Sequence, residues 1–145
     1  MKLVELEDRG DKRLVRLLFK RFHSMGVPRG EGLGRGSRYF VLVVDCFWCA
    51  GVWVHLPSSF RPLFMKFNVP CDNSYFLRRI CSFCPGQYSV MLLRLLCERL
   101  RNEGKEAILT LGLADHSNAL YKKAGFVEVG VTPRSKHPVF VKYLR

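Results

Sequence analysis

Apolar residues recur along this chain at two different periods, and the switches between the periods mark out its elements. Lys2 to Leu6 (KLVEL) alternates weakly, as a short edge strand does. From Asp11, a residue suited to cap a helix, Leu14, Val15, Leu18, Phe22 and Met25 fall on one helical face. Lys12, Arg13, Arg16, Lys20 and Arg21 lie around the other face. Gly26 and Pro28 end that helix, and Pro28 to Ser37 (PRGEGLGRGS) reads as a polar, glycine-rich loop. Tyr39 to Val44 (YFVLVV) and Gly51 to His55 (GVWVH) are rich in β-branched and aromatic residues and predict two strands of a hairpin. The stretch from Pro57 to Asn73, with three prolines and little period, suits an irregular crossing.

Ser74 to Phe83 (SYFLRRICSF) reads as a third strand of the central group. Pro85-Gly86 then interrupts the chain before Ser89, which can cap an amphipathic helix running to Asn102. Met91, Leu92, Leu95, Leu96 and Leu100 oppose Arg94, Arg99 and Arg101 on that helix, and Gly104 ends it. Glu106 to Leu113 (EAILTLGL) has the continuous apolar character of a buried strand. Asp115 or Ser117 caps a short helix through Ala124, and Gly125 supplies a left-handed stop. Phe126 to Thr132 and Val139 to Leu144 predict a terminal strand pair. The order is β-α-β-β-β-α-β-α-β-β, without internal repeats or a linker, so residues 1–145 read as one α/β (α+β) domain.

Composition agrees with that picture and narrows the function. Hydrophobic residues make up 48% of the 145, and charged residues 25%, which excludes wholesale disorder. No apolar run approaches the roughly 20 residues of a membrane span. The longest candidate, Tyr39 to Leu56, is broken by Asp45, Gly51 and His55, so no membrane association is expected. Acidic residues stand where an export signal would carry its apolar core, which points to a cytoplasmic protein. The formal net charge of +12 favours anionic partners: nucleic acid, a phosphorylated cofactor or an acidic protein. It fits a merely basic surface equally well.

The segment Ala119 to Gly130 (ALYKKAGFVEVG) carries the most specific signal. A helix with Leu-Tyr, then Lys-x-Gly-Phe, then a strand resembles the closing motif of the GNAT superfamily of acyl-CoA N-acetyltransferases, and the element order resembles that family's layout over nearly the whole chain. The resemblance implies a mixed, mostly antiparallel sheet flanked by helices, with acetyl-CoA as cofactor and an amine as acceptor. It implies that Tyr121 lies near the cofactor sulfur, where a phenol can protonate the leaving thiolate. By the same analogy Asn118 would bond the pantetheine arm, although a cap or turn role suits it as well.

The family's phosphate signature, Arg/Gln-x-x-Gly-x-Gly/Ala at the start of the long helix, is altered. This chain offers Cys84-Pro85-Gly86-Gln87-Tyr88-Ser89, a shorter segment with one glycine. The resemblance implies that Phe83, Gly86, Gln87 and Ser89 hold the coenzyme, helped by the positive end of the helix. Two lost charge-assisted bonds would weaken that hold by about 3–6 kcal/mol. The reading that follows is an acetyl-CoA-dependent N-acetyltransferase. Its alternative is a non-catalytic module of the same fold that binds nucleic acid or an acidic protein. No general base stands out among His55, Asp72, Cys81 and Ser82.

Cys46-x-x-Cys49 and Cys81-x-x-Cys84 add a separate question. Double CxxC spacing is a zinc signal, and the hairpin would bring both pairs to one edge. The apolar Phe47, Trp48 and Phe83 argue against metal knuckles, and no metal ligand is assigned. Zinc, a disulfide and free thiols all stay open; disulfides are unexpected inside most cells, hyperthermophiles excepted. Cys71 and Cys97 read as lone structural residues.

Overall fold

The computed structural model describes residues 1–23, 36–113 and 118–145. Seven strands are present: β1 (Lys2–Leu6), β2 (Ser37–Val44), β3 (Phe47–His55), β4 (Ser74–Ser82), β5 (Ala107–Leu111), β6 (Val127–Val131) and β7 (Pro138–Tyr143). They form one sheet in the order β1-β2-β3-β4-β5-β7-β6. Every neighbouring pair is antiparallel except β4 and β5. The helices are α1 (Arg9–Phe22), α2 (Arg61–Lys66), α3 (Tyr88–Asn102) and α4 (Ala119–Lys123). The expected mixed, mostly antiparallel sheet with flanking helices is therefore the observed one.

Local chemistry moves several expected boundaries. Asp8, rather than Asp11, caps α1, accepting the Asp11 N–H at 3.1 Å. The buried stripe of α1 is Val15 and Phe19, while Leu14 and Phe22 face outward. The β2–β3 turn is only Asp45-Cys46, both with positive φ, so β3 begins at Phe47 and not at Gly51. The crossing after β3 contains a 3-10 turn (Ser58–Phe60) and then α2, a helix the prolines hid; Pro62 lies in its first turn, where no N–H is needed. Helix α3 starts at Tyr88 after Gln87, so Ser89 is its second residue instead of its cap. Met25, Gly26, Pro28, most of the glycine-rich loop, Asp115 and Ser117 lie outside the described residues.

Apolar side chains pack on both faces of the sheet. One face joins Phe40, Leu42, Val52, Leu77, Ile108 and Phe140 to α3 and the start of β6. On the opposite face α1 covers Tyr39, Val41 and Trp53, and α2 covers Phe76, Leu109 and Val141. Gly51 lets α1 press close: a Cβ there would stand 2.8 Å from the Phe83 ring and 3.0 Å from Val15. No helix among the described residues is long and apolar enough to cross a membrane.

Arg38 of β2 ties three elements together. Its guanidinium reaches Glu5 of β1 and Glu103 just past α3, each at 2.7 Å, and donates to the Tyr75 hydroxyl at 3.1 Å. These bonds hold Arg38 well above its ordinary pKa and pull the Glu103 carboxyl below its own. Replacing Arg38 with Met leaves two carboxylates facing each other. Urea denaturation of the variant should show a loss of about 2–3 kcal/mol; an unchanged midpoint would contradict the clamp.

His23 closes α1, its N–H donating to the Phe19 carbonyl at 2.8 Å. Burial first, then the charge of Arg79, lowers its pKa from 6.5 to about 4. A lowered value means that the unfolded chain binds the proton more readily. This term therefore supports folding above pH 6.5, is lost between pH 6.5 and about 4, and is level below that. Stability of the His23→Gln variant should fall less steeply across this window, by on the order of 2 kcal/mol after solvent screening. Identical pH profiles would contradict the assignment.

Candidate active site

The centre of the sheet opens where β4 and β5 part. They pair from Ser74 with Ala107 to Leu77 with Thr110. Beyond that point β4 continues to Ser82 along β3 alone, while β5 ends at Leu111. A bulge marks the parting: Val54 pairs with Leu77 and Trp53 with Arg79, leaving Arg78 as the extra residue. Thr110 closes the last shared rung, donating its hydroxyl to the Leu77 carbonyl at 2.9 Å.

Tyr121 stands at that rung. Helix α4 carries it against the sheet, its ring 5.4 Å from Phe140 and 5.8 Å from Phe126. Its hydroxyl lies close enough to the Thr110 side chain to feel it. Burial raises its pKa above the ordinary 10.0, against the opposing influence of Thr110 and the Arg79 charge. The phenol thus keeps its proton at neutral pH and stands where the sheet divides. Gly125, with φ +88, turns the chain after α4 and delivers Phe126 into the core.

The segment from Phe83 to Ser89 leads from the end of β4 into α3. Phe83 is turned away from any cofactor: its ring packs 6.0 Å from Phe19 and from Phe22, and its N–H donates to the Cys49 carbonyl at 2.8 Å. Strand alternation sends this side chain to the α1 face. Gly86 adopts φ +131, a conformation essentially confined to glycine. Gln87 precedes the first helical residue without capping it through its side chain, and the first turn carries no acid. That leaves the helix end suited to an anion. One amide is already engaged, since Ser89 donates its N–H to Ser82 Oγ at 3.1 Å, and the two hydroxyls lie 2.7 Å apart.

Asn118 is a turn residue. It adopts the left-handed region, with φ 54, ahead of α4. Its carboxamide accepts from the Leu113 N–H and donates to the Leu113 carbonyl, both at 3.0 Å. Gly112 admits it: a Cβ there would lie 2.6 Å from Asn118 Oδ1. This geometry has Asn118 hold the β5–α4 connection.

The base candidates scatter. His55 lies among Trp53, Phe60 and Phe76, its Nδ1 2.6 Å from the Leu56 carbonyl. Asp72 is exposed beside Arg61, and Ser82 is bound to Ser89. Cys46, Cys49, Cys81 and Cys84 do not gather as a metal cluster among the described residues. Sequence reasoning missed Thr110 and the bulge arginines. Arg78 lies 5.1 Å over Phe60, and Arg79 donates to the Arg78 carbonyl at 2.7 Å. The only hint was an Arg-Arg pair inside an apolar strand.

Comparison with known proteins agrees with this geometry. No known family model matches the chain. Uncharacterized protein 154 of Sulfolobus islandicus rod-shaped virus 1 is 43% identical over 144 residues, covering 97% of this chain and 94% of that protein. Among solved structures, an aminoglycoside 6'-N-acetyltransferase complexed with coenzyme A superposes with a TM-score of 0.73 at 13% identity, over 100% of this chain and 98% of that one. The ribosomal-protein-S18-alanine N-acetyltransferase of Escherichia coli gives 0.66 at 16% identity, over 97% and 90%. At such identities the structures establish the fold, and the viral relative establishes the family. The chain belongs to one family with the rod-shaped virus protein 154, built on the GNAT fold.

Proposed function

We propose that this protein is an N-acetyltransferase that moves an acetyl group from acetyl-CoA to an amine. The observation that carries the reading is Tyr121, protonated and packed on Phe126 and Phe140 beside Thr110, at the rung where β4 and β5 separate. The structural neighbours support it as N-acetyltransferases of the same fold, one of them complexed with coenzyme A.

The residues present fit the coenzyme, though with a reduced grip. Gly86, Gln87 and Ser89 form the turn into α3, whose uncapped first turn suits a pyrophosphate. The backbone of β4 beyond Leu77, no longer shared with β5, suits the amides of an extended arm, as sheet edges do generally. Phe83 and Asn118 position this frame from behind, the first through the α1 core and the second through the Leu113 turn. Acetyl-CoA would supply the acetyl group as an activated thioester. Tyr121 Oη holds the proton that a departing sulfur needs, and its raised pKa keeps that proton available at neutral pH. No side chain is assigned as base, and solvent takes the proton of the attacking amine. The nucleic-acid or acidic-protein module has the net charge and the shortened segment before α3 behind it.

The test is turnover, read as free thiol, with peptide N-termini, lysine and small amines as acceptors. Tyr121→Phe should lower kcat about 10- to 100-fold, with little change in KM for acetyl-CoA. Because the Tyr121 pKa lies above 10.0, its ionisation should place a falling limb beyond pH 10 in the native rate profile. That limb should vanish in the variant. An unchanged kcat in Tyr121→Phe would remove the tyrosine from the chemistry.

A further inference from the structure

Two thiols outside the acetyl-transfer machinery meet where β3 and β4 enter the proposed coenzyme segment. Cys49 is buried in β3 at a second bulge, since Ala50 pairs with Leu42 and Trp48 with Val43. Its carbonyl accepts the Phe83 N–H at 2.8 Å. That bond carries the β3–β4 pairing one residue beyond Ser82 and draws Cys84 alongside. Cys49 and Cys84 therefore lie diagonally across the strand pair, near enough for one thiol to act on the other. Burial, then Cys84 itself, pushes the Cys49 thiol up, so it waits as a neutral group beside a more accessible partner.

The other cysteines are placed differently. Cys46 is exposed on the hairpin turn, and Cys81 donates to the Ser82 carbonyl at 3.3 Å beneath α1. Cys97 is buried in the α3 core, and Cys71 faces the Arg61 carbonyl beside α2. Spacing suggested Cys46 with Cys49 and Cys81 with Cys84. The fold instead joins one cysteine from each motif.

We propose that Cys49 and Cys84 are a disulfide-forming pair, a covalent clasp between β3 and the segment entering α3, closed by a small-molecule disulfide of the glutathione type. The Cys84 thiolate attacks one sulfur of that disulfide, whose S–S bond breaks and releases one thiolate. Cys49, giving its proton to solvent, then attacks Cys84 Sγ and releases the second. Two protein thiols are oxidised and one small disulfide is reduced to two thiols, which take up the two protons. The Phe83–Cys49 backbone bond already holds the two residues on adjoining strands, so reaching an S–S bond of about 2.05 Å needs a local shift of the segment rather than a rearrangement of the sheet. Gly86, next but one to Cys84, is the compliant residue there.

The clasp would fix the entry to α3 beside the Ser82–Ser89 bonds. It stands whether or not a coenzyme binds. The protein is incubated with oxidised glutathione, alkylated, and digested without reduction for mass mapping. The expected result is a Cys49–Cys84 linked peptide that dithiothreitol reverses. The melting temperature should rise by about 10 °C on oxidation, a rise kept in Cys46→Ser and lost in Cys84→Ser. Absence of the linked peptide, or glutathione stopped on Cys84 with Cys49 alkylated, would overturn the proposal. So would a rise retained in Cys84→Ser. Mapping uses the native chain, so the result does not depend on how a variant folds.

Discussion

Strands β4 and β5 share hydrogen bonds only from Ser74 to Leu77, because the bulge at Arg78 bends β4 and the Thr110 hydroxyl takes the Leu77 carbonyl. Parallel neighbours in a sheet centre normally run together and leave no polar edge inside the molecule. Here the pairing stops mid-sheet, and the remaining length of β4 keeps one partner, β3. A divided sheet exposes backbone that can bond a ligand, and it fixes where α4 can place a side chain. Tyr121 is seated at that division. The entry to α3 lies at the far end of the same strand.

The packing that holds this opening comes from both faces. Helix α3 fills one face with Leu92, Leu93, Leu96 and Leu100, all fully buried. On the other face Val15 and Phe83 wedge against Gly51, and α2 covers the half beyond β4. Burial of each such side chain contributes on the order of 2 kcal/mol, so the edges beside the split are anchored from both sides. Arg38 joins β1, β2 and the end of α3 at the opposite end of β4. The rigid end and the open end of the sheet are thus separate, which lets the altered coenzyme segment vary while the frame persists.

Most of the fold was legible in the chain, because its strands are long in β-branched and aromatic residues and its two long helices carry clear apolar stripes. The motif at Ala119 to Gly130 led to Tyr121, since a helix, a left-handed glycine and a strand recur together for steric reasons. What stayed hidden depends on register. A one-residue bulge reverses which side chains face which layer. Nothing in SYFLRRICSF says that Arg78 is the extra residue or that Phe83 turns toward α1. Helix α2 escaped notice because it is shorter than two helical periods and carries a proline in its first turn. The role of Asn118 rests on contact with Leu113 across a turn, and the Cys49–Cys84 contact joins residues far apart in sequence. The first leaves no pattern in the order of residues; for the second, the double CxxC spacing brought both pairs to one edge without saying which two cysteines adjoin.

The central claim is that the single-glycine turn at Gly86 and the uncapped start of α3 still hold an acyl-CoA against the divided sheet. Isothermal titration of the purified protein with acetyl-CoA, with desulfo-CoA as a control, tests it most directly. The account predicts saturable binding in the micromolar range, one coenzyme per chain. Absence of heat up to millimolar coenzyme would contradict it, and would leave a GNAT fold that has lost its cofactor site.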